Sequence, residues 1–140
     1  MATFQLYTDS GLTTPYPGTI PFAQSTDGYL APVELQMWAG LTDTGRIVQA
    51  VSNPGVDYIQ VFPADTASGS GFSTSGVKLA LTQAGLATAT AGAALNLATS
   101  ISSGTSHAVS FWIRVTSTGG TERVESDVHL RSNDYVISLV

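Results

Sequence analysis

Turn signals divide the chain into short segments, and this feature constrains the fold more than any other. Clusters of Gly, Pro, Asn, Asp and Ser recur about every 8–15 residues over most of the 140 positions. The segments between them are rich in Val, Ile, Thr and aromatic residues, which favour strands. The clusters are Asp9-Ser10-Gly11, Pro15-Tyr16-Pro17-Gly18, Asp27-Gly28, Asp43-Thr44-Gly45, Asn53-Pro54-Gly55, Ser68-Gly69-Ser70-Gly71, Ser103-Gly104 and Gly119-Gly120. This spacing is typical of an all-β sandwich or barrel.

The segments between the turns give the predicted strands. They are residues 3–7, 19–23, 33–41, 46–52, 57–62, 76–82, 93–98, 108–117, 121–131 and 134–140. The Ala/Thr/Gly-rich stretch Leu81 to Leu97 predicts one helical turn around Gln83–Leu86, then a loop and a strand from Ala93. The order of Leu95-Asn96-Leu97, Ser103-Gly104 and the strand from Val109 looks like part of an immunoglobulin-type sandwich. Because no repeat or linker divides a chain of this length, residues 1–140 are expected to be one antiparallel β-sandwich domain.

A hairpin is predicted near the carboxyl end. Odd positions from Val109 to Val115 are apolar, and Val124, Val128 and Leu130 occupy even positions in the following segment. Opposed residues share a face of a sheet, and a two-residue Gly119-Gly120 turn satisfies this parity. Gly-Gly also accepts the positive φ angles of a type I′ turn. The predicted pairs are Phe111 with Val128 inside, and Arg114 with Glu125 and Ser110 with His129 outside.

Several charged residues would cluster on the outward face of this hairpin beside Trp112. They are Arg114, Arg123, Glu125, Asp127 and Arg131. The same alternation in 33–41 turns Val33, Leu35, Met37 and Leu41 inward, so both Trp38 and Trp112 would point outward. The last segment, Tyr135 to Val140, is apolar on both faces, which predicts a central or covered strand.

The composition excludes several classes of function. Only 11% of the residues are charged, against about 25% in an average domain. The chain has five Lys and Arg and ten Asp and Glu, which gives a net charge of −5. Nucleic-acid binding needs a basic surface, so no nucleic-acid partner is expected. There are no cysteines for disulfides or thiol chemistry, and no apolar run approaches a membrane span. The first residues lack the features of a signal peptide, so synthesis in a cytoplasm is expected.

No catalytic, cofactor-binding or metal site is predicted. No G-x-S-x-G elbow, P-loop or G-x-G-x-x-G pattern occurs. Asp9, Asp27 and Asp43 lie in turns, where a carboxylate caps its own backbone. The two histidines, His107 and His129, would face opposite sides of the sheet and could not share a metal. Calcium bound by the acidic turns stays an open alternative, without EF-hand spacing to support it.

The outward tryptophans are the most suggestive feature, and three interpretations stay open. Loops of the same domain could cover them, they could form a contact surface, or Trp112 beside Asp127 and Arg114 could stack on a sugar. Exposed aromatic residues among few charges indicate an interface. The interface candidates are Trp38, Trp112, Arg114, Asp127, Val136, Leu139 and Val140.

Three stretches resemble small bacteriophage virion proteins. They are Phe4 to Thr13 (FQLYTDSGLT), Val77 to Leu97 with its VKLALT and GAALNL ends, and His107 to Val115 (HAVSFWIRV). Such proteins are immunoglobulin-like sandwiches that serve as capsid decoration, head-fibre or tail accessory subunits. The resemblance implies a non-enzymatic virion component without cofactors, present in many copies or as a homo-oligomer, with other virion proteins as partners.

Capsid decoration is therefore the leading expectation for function. A carbohydrate-binding or host-receptor module of a head or tail fibre is the alternative, and it depends on Trp112. A hydrolase is the third hypothesis, which would require turnover of an ester or glycoside.

Overall fold

The protein is all-β, and its strands pair antiparallel, as the turn spacing predicts. A computed structural model describes residues 4–16, 30–65, 76–117 and 128–140. The predicted strand 19–23 and residues 121–127 lie outside these ranges. The described strands are β1 (Phe4–Tyr7), β2 (Leu30–Leu41), β3 (Arg46–Ala50), β4 (Ile59–Asp65), β5 (Val77–Ala80), β6 (Leu95–Ala98), β7 (Ser100–Ser102), β8 (Val109–Ser117), β9 (Val128–Ser132) and β10 (Tyr135–Leu139). Short 3-10 helices occupy Ala84–Ala87, near the predicted helical turn, and Thr105–His107.

Four of the described strands form the larger sheet, in the order β1-β2-β8-β5. Alternation along β8 places Phe111, Ile113 and Val115 on the inner face, where at most 1% of each is exposed. Met37 on β2 pairs with Phe111 and is buried too, as predicted. Leu35 pairs with Ile113 and shares this face by register, but it is 42% exposed.

The predicted C-terminal hairpin is wrong. Strand β8 lies between β2 and β5, and Phe111 pairs with Met37 rather than with Val128. Strand β9 belongs to another sheet, where Val128 pairs with Asp65 and His129 with Ala64. The apolar alternation identified the inner face of β8 correctly, but alternation carries no information about which strand lies beside it.

In the described residues, the second layer consists of three long strands, and each of them is interrupted at the same level. Its two parts have the orders β10-β3-β7 and β9-β4-β6, and the chain runs directly from β6 to β7 and from β9 to β10. Ten residues separate Ala50 from Val61 in the central strand, whereas two separate their partners Ser132 and Tyr135. The central strand therefore carries an excursion, residues 51–58, that leaves the middle of the layer.

One hydrophobic cluster lies between the layers. It combines Phe111 and Ile113 of the larger sheet with Val48, Ile59 and Val61 of the second layer, all nearly inaccessible to water. Burial of apolar side chains from both sheets is the main stabilising term, at about 1.5–3 kcal/mol for each large side chain. The described strands thus pack as two layers around a shared core.

Of the two alternatives predicted for the last strand, a central place is not found among the described strands. Among the described strands, β10 pairs with β3 alone and forms an edge of the second layer. Tyr135 and Ile137 pack against the core, but Val136, Leu139 and Val140 are 38%, 74% and 84% exposed. An apolar strand with no described neighbour on one side is an unusual feature, because protein edges are normally short or charged.

Candidate functional site

Both tryptophans lie on the outer face of the four-stranded sheet, as predicted. Gln36 pairs with Trp112, and Trp38 pairs with Ser110 on the same two strands. Each indole is half-buried rather than freely exposed. The large aromatic surface expected from the sequence is therefore only partly available.

Segments of the same chain cover part of this face. After β1 the chain turns through residues 8–14, and Leu12 packs over Gly40, where an added Cβ would lie 2.7 Å from Leu12 Cδ1. Leu12 and Tyr7 are 4% exposed, and Tyr7 pairs with Trp38. Covering by loops was one of the three interpretations left open for the tryptophans, and it explains part of their burial.

A second segment covers the opposite side of the same face. An added Cβ at Gly85, in the helix Ala84–Ala87, would lie 3.2 Å from Ala80 Cβ. Ala80 pairs with Trp112, and Leu86 in the same helix is fully buried. Connections of the same chain thus cover the outer face at Gly40 and at Ala80.

Arg114 pairs with Glu34 rather than with the predicted Glu125. Its Nη2 lies 2.6 Å from Glu34 Oε2, and its Nε donates to the same oxygen at 2.7 Å. Gln83 Nε2 donates to the other oxygen at 2.9 Å. The hydrogen bond from Gln83, followed by that from Arg114, lowers the pKa of Glu34. The arrangement ties β2, β8 and the Gln83 turn together.

The predicted charge cluster is not assembled as expected. Arg114 lies on the four-stranded sheet and Arg131 on β9 of the second layer, opposite Phe62. Arg123, Glu125 and Asp127 lie outside the described residues, so the suggested Trp112–Asp127 neighbourhood is not described either. Arg114 and Arg131, the two members of the predicted cluster within the described residues, therefore belong to different sheets.

Asp9 caps its own turn, as the Asp-Ser-Gly signal predicts. Its carboxylate accepts hydrogen bonds from Thr13 Oγ1 at 2.7 Å, Thr14 N–H at 2.7 Å and Thr13 N–H at 3.0 Å. These bonds, that from the Thr13 hydroxyl foremost, lower the pKa of Asp9. The carboxylate is occupied by the turn.

The edge of β10 presents unused backbone groups. Val51 N–H donates to the Asp134 carbonyl and Val140 N–H to the Gly45 carbonyl, at 3.1 and 3.0 Å. Bonded positions alternate along an antiparallel ladder, so the intervening even residues also face β3. The N–H and C=O groups of Tyr135, Ile137 and Leu139 consequently point away from β3, toward the side where no described strand pairs.

A polar cleft lies at the base of the 51–58 excursion, and sequence reasoning missed it. Its volume is about 290 Å³. Asn133 fixes one wall, because its Oδ1 accepts from Gln60 N–H at 2.9 Å and its Nδ2 donates to the Tyr58 carbonyl at 3.1 Å. All eight residues of the excursion are exposed, including Tyr58 at 48%. The sequence showed only an Asn53-Pro54-Gly55 turn here; the pairing of distant strands brings Asn96 and Asn133 beside it.

The described residues contain no group of three or more His, Cys, Asp or Glu side chains arranged to hold a metal ion. His107 is exposed, and its Nδ1 lies 3.0 Å from the Ser103 carbonyl. In the described part of the chain, no helix is long and apolar enough to cross a membrane.

Comparison with protein-family models, curated proteins and solved structures finds no match for this chain.

Proposed function

We propose that the chain is a non-enzymatic structural protein of a phage virion, most simply a capsid decoration subunit that binds other virion proteins. The observation that carries this proposal is the exposed, apolar edge of β10. Exposed edges with unpaired N–H and C=O groups accept a further strand from a partner. Val136, Leu139 and Val140, three of the seven interface candidates, lie at this edge.

The neighbour that fits this edge is a second copy of the chain. Two antiparallel copies of β10 would pair Ile137 with Ile137 and Tyr135 with Leu139, using backbone groups that point away from β3. Residues 135–140 carry no charged side chain, so such pairing opposes no like charges. A two-fold contact of this kind suits a subunit present in many copies.

The proposed sandwich is immunoglobulin-like in its layers but not in its strand order. With β3/β4, β6/β7 and β9/β10 each counted as one strand, the described parts of the layers hold four and three strands. The larger sheet then has the order first, second, sixth, fourth, whereas a constant-type immunoglobulin domain places the fifth strand beside the second. The second layer has the order seventh, third, fifth, whereas the immunoglobulin domain places the sixth strand between the third and the seventh. We therefore propose an immunoglobulin-like sandwich whose strand order differs in both layers.

The test is the content of purified particles of the phage that encodes the chain, together with the mass of the isolated protein by light scattering. Leu139→Lys places a charge on the β10 edge, and Leu81→Lys is the matched control at another exposed leucine. Wild type and Leu81→Lys should be found in particles and form dimers. Leu139→Lys should dimerise at least about tenfold more weakly.

Two results would contradict the proposal. Absence of the wild-type protein from particles would remove the virion role. Equal dimerisation of wild type and Leu139→Lys, or a monomer at about 0.1 mM, would remove the β10 contact.

The alternative, a carbohydrate- or host-receptor-binding module of a head or tail fibre, no longer has Trp112 as its best support. Trp112 is half-buried on the outer face of the larger sheet, and Asp127, its predicted neighbour, lies outside the described residues. The polar cleft below the excursion, with its exposed Tyr58, is the observation that favours a sugar-binding role.

A further inference from the structure

The cleft at the base of the excursion is built from three separate parts of the chain. The excursion and the start of β4 contribute residues between 52 and 60, β6 contributes Asn96, and the β9–β10 junction contributes Asn133 as the fixed wall. Most of the lining is polar: Ser52, Asp57, Tyr58, Gln60, Asn96 and Asn133. Hydrogen bonds between these residues hold the site in one arrangement before any ligand arrives, which reduces the entropy cost of binding.

Several hydrogen-bonding atoms of the lining stay available. Ser52 Oγ donates to Asp57 Oδ2 at 2.7 Å, so Asp57 Oδ1 has no partner among the described residues. Gln60 Nε2 donates to Asn96 Oδ1 at 2.7 Å. Gln60 Oε1 and Asn96 Nδ2 likewise have no partner among the described residues. A carboxylate oxygen, an amide oxygen and an amide nitrogen thus line one cleft. They offer two acceptors and one donor to a ligand that carries several hydroxyl groups.

Tyr58 and Val56 add apolar surface to the same cleft. Tyr58 is 48% exposed and Val56 is 64% exposed, so apolar area of both side chains stays in contact with water. A ring with one apolar face can rest on an aromatic side chain while its polar edge bonds to the amides and the carboxylate. Pyranose sugars combine these two properties.

Charge selects among such ligands. None of the described residues that line the cleft is basic, and Asp57 contributes a carboxylate. An anionic sugar or a phosphate would lie near this negative charge without a compensating cation. The volume of about 290 Å³ is at the small end of ligand sites, which are about 300–1,000 Å³.

We propose that this cleft is a binding site for one neutral pyranose unit of a carbohydrate, with Tyr58 as the stacking residue and Asp57, Gln60 and Asn96 as its hydrogen-bonding partners. The cleft adjoins the start of β10 at Asn133, but no residue of β10 lines it, and the proposal does not depend on the virion role.

The experiment is an amide-resolved NMR titration of the full chain with the methyl glycosides of glucose, galactose, mannose and N-acetylglucosamine. Each is added to about 50 mM, above the roughly millimolar dissociation constant expected for so small a ligand. At least one glycoside should shift the amides of residues 51–60, 96 and 133. Glucuronate and glycerol, the anionic and non-cyclic controls, should shift these amides much less.

Four variants separate the proposed site from the tryptophan face. Tyr58→Ala should weaken binding at least about tenfold, whereas Tyr58→Phe keeps the ring and should stay within about threefold of wild type. Asp57→Asn should also weaken binding, because the amide replaces one acceptor oxygen with a donor. Trp112→Phe should leave binding unchanged.

Three outcomes would overturn the proposal. These are no shift with any of the four glycosides, shifts that persist in Tyr58→Ala, or shifts confined to the neighbourhood of Trp112 and lost in Trp112→Phe. The last outcome would restore the sugar platform first suggested by the sequence.

Discussion

Tyr16 shows how a single side chain joins the two layers. The segment after β1 runs back along that strand, since Tyr16 N–H donates to the Leu6 carbonyl at 2.8 Å. The Tyr16 hydroxyl then accepts a hydrogen bond from Leu130 N–H on β9 at 3.1 Å. Burial raises the pKa of this hydroxyl, which agrees with its position inside the structure.

Replacing Tyr16 with Phe should therefore destabilise the fold. Tyr16→Phe leaves the Leu130 N–H without its acceptor, and we expect the free energy of unfolding to fall by about 1–3 kcal/mol. Urea denaturation followed by tryptophan fluorescence measures this change. Tyr58→Phe is the control, because the Tyr58 side chain is exposed, and its effect should stay within about 0.5 kcal/mol. Equal effects of the two variants would contradict the role assigned to Tyr16.

At the scale of elements, alternation identified faces but not neighbours. It placed Met37, Leu41, Phe111 and Ile113 in the core correctly. It also allowed a hairpin of β8 with β9, because parity is satisfied equally well by any strand with a complementary apolar row. The neighbours of β8 are β2 and β5, which are distant from it in the chain. The local sequence of a strand does not predict such long-range pairings.

The same reasoning explains the outcome for β10 and for the cleft. Apolar residues on both faces of Tyr135 to Val140 predicted burial, but exposure depends on which strands lie beside β10. The cleft needs Gln60, Asn96 and Asn133 together, and their juxtaposition follows from the register of β4 with β6 and β9. The Asp9 turn, by contrast, was predictable because all its hydrogen bonds are local.

The orientation of β10 can be tested with proline. Ser138 N–H faces β3 by register, so Ser138→Pro removes a ladder hydrogen bond and should lower the free energy of unfolding by about 1–3 kcal/mol. Leu139 N–H points away from β3, so Leu139→Pro should cost less than about 1 kcal/mol. Urea denaturation and hydrogen exchange of the β3 amides measure both effects. A larger loss in Leu139→Pro than in Ser138→Pro would contradict the assignment of outward-facing groups.

For the whole molecule, the free energy of unfolding is expected to depend on pH. Asp9 and Glu34 have pKa values lowered from their usual 3.8 and 4.5. The carboxylates of Asp9 and Glu34 therefore bind protons less readily in the folded state than in the unfolded chain. Their stabilising contribution is complete above the usual values and is lost as pH falls through the lower values of the folded state.

The urea midpoint of the wild type should thus fall between about pH 6 and about pH 3. In the double variant Asp9→Asn, Glu34→Gln, part of this fall should disappear, because neither replaced group can titrate. Comparing the urea midpoints of both proteins at the two pH values measures the difference. An identical fall in the two proteins would show that other carboxylates dominate.

The excursion has a further consequence for how the molecule can vary. Its two ends, Ala50 and Ile59, are both fully buried, while every residue from 51 to 58 is exposed. Substitutions at these eight positions therefore leave the packing of the core unchanged. A chain built in this way can exchange one recognition loop for another of different length and chemistry without repacking either layer.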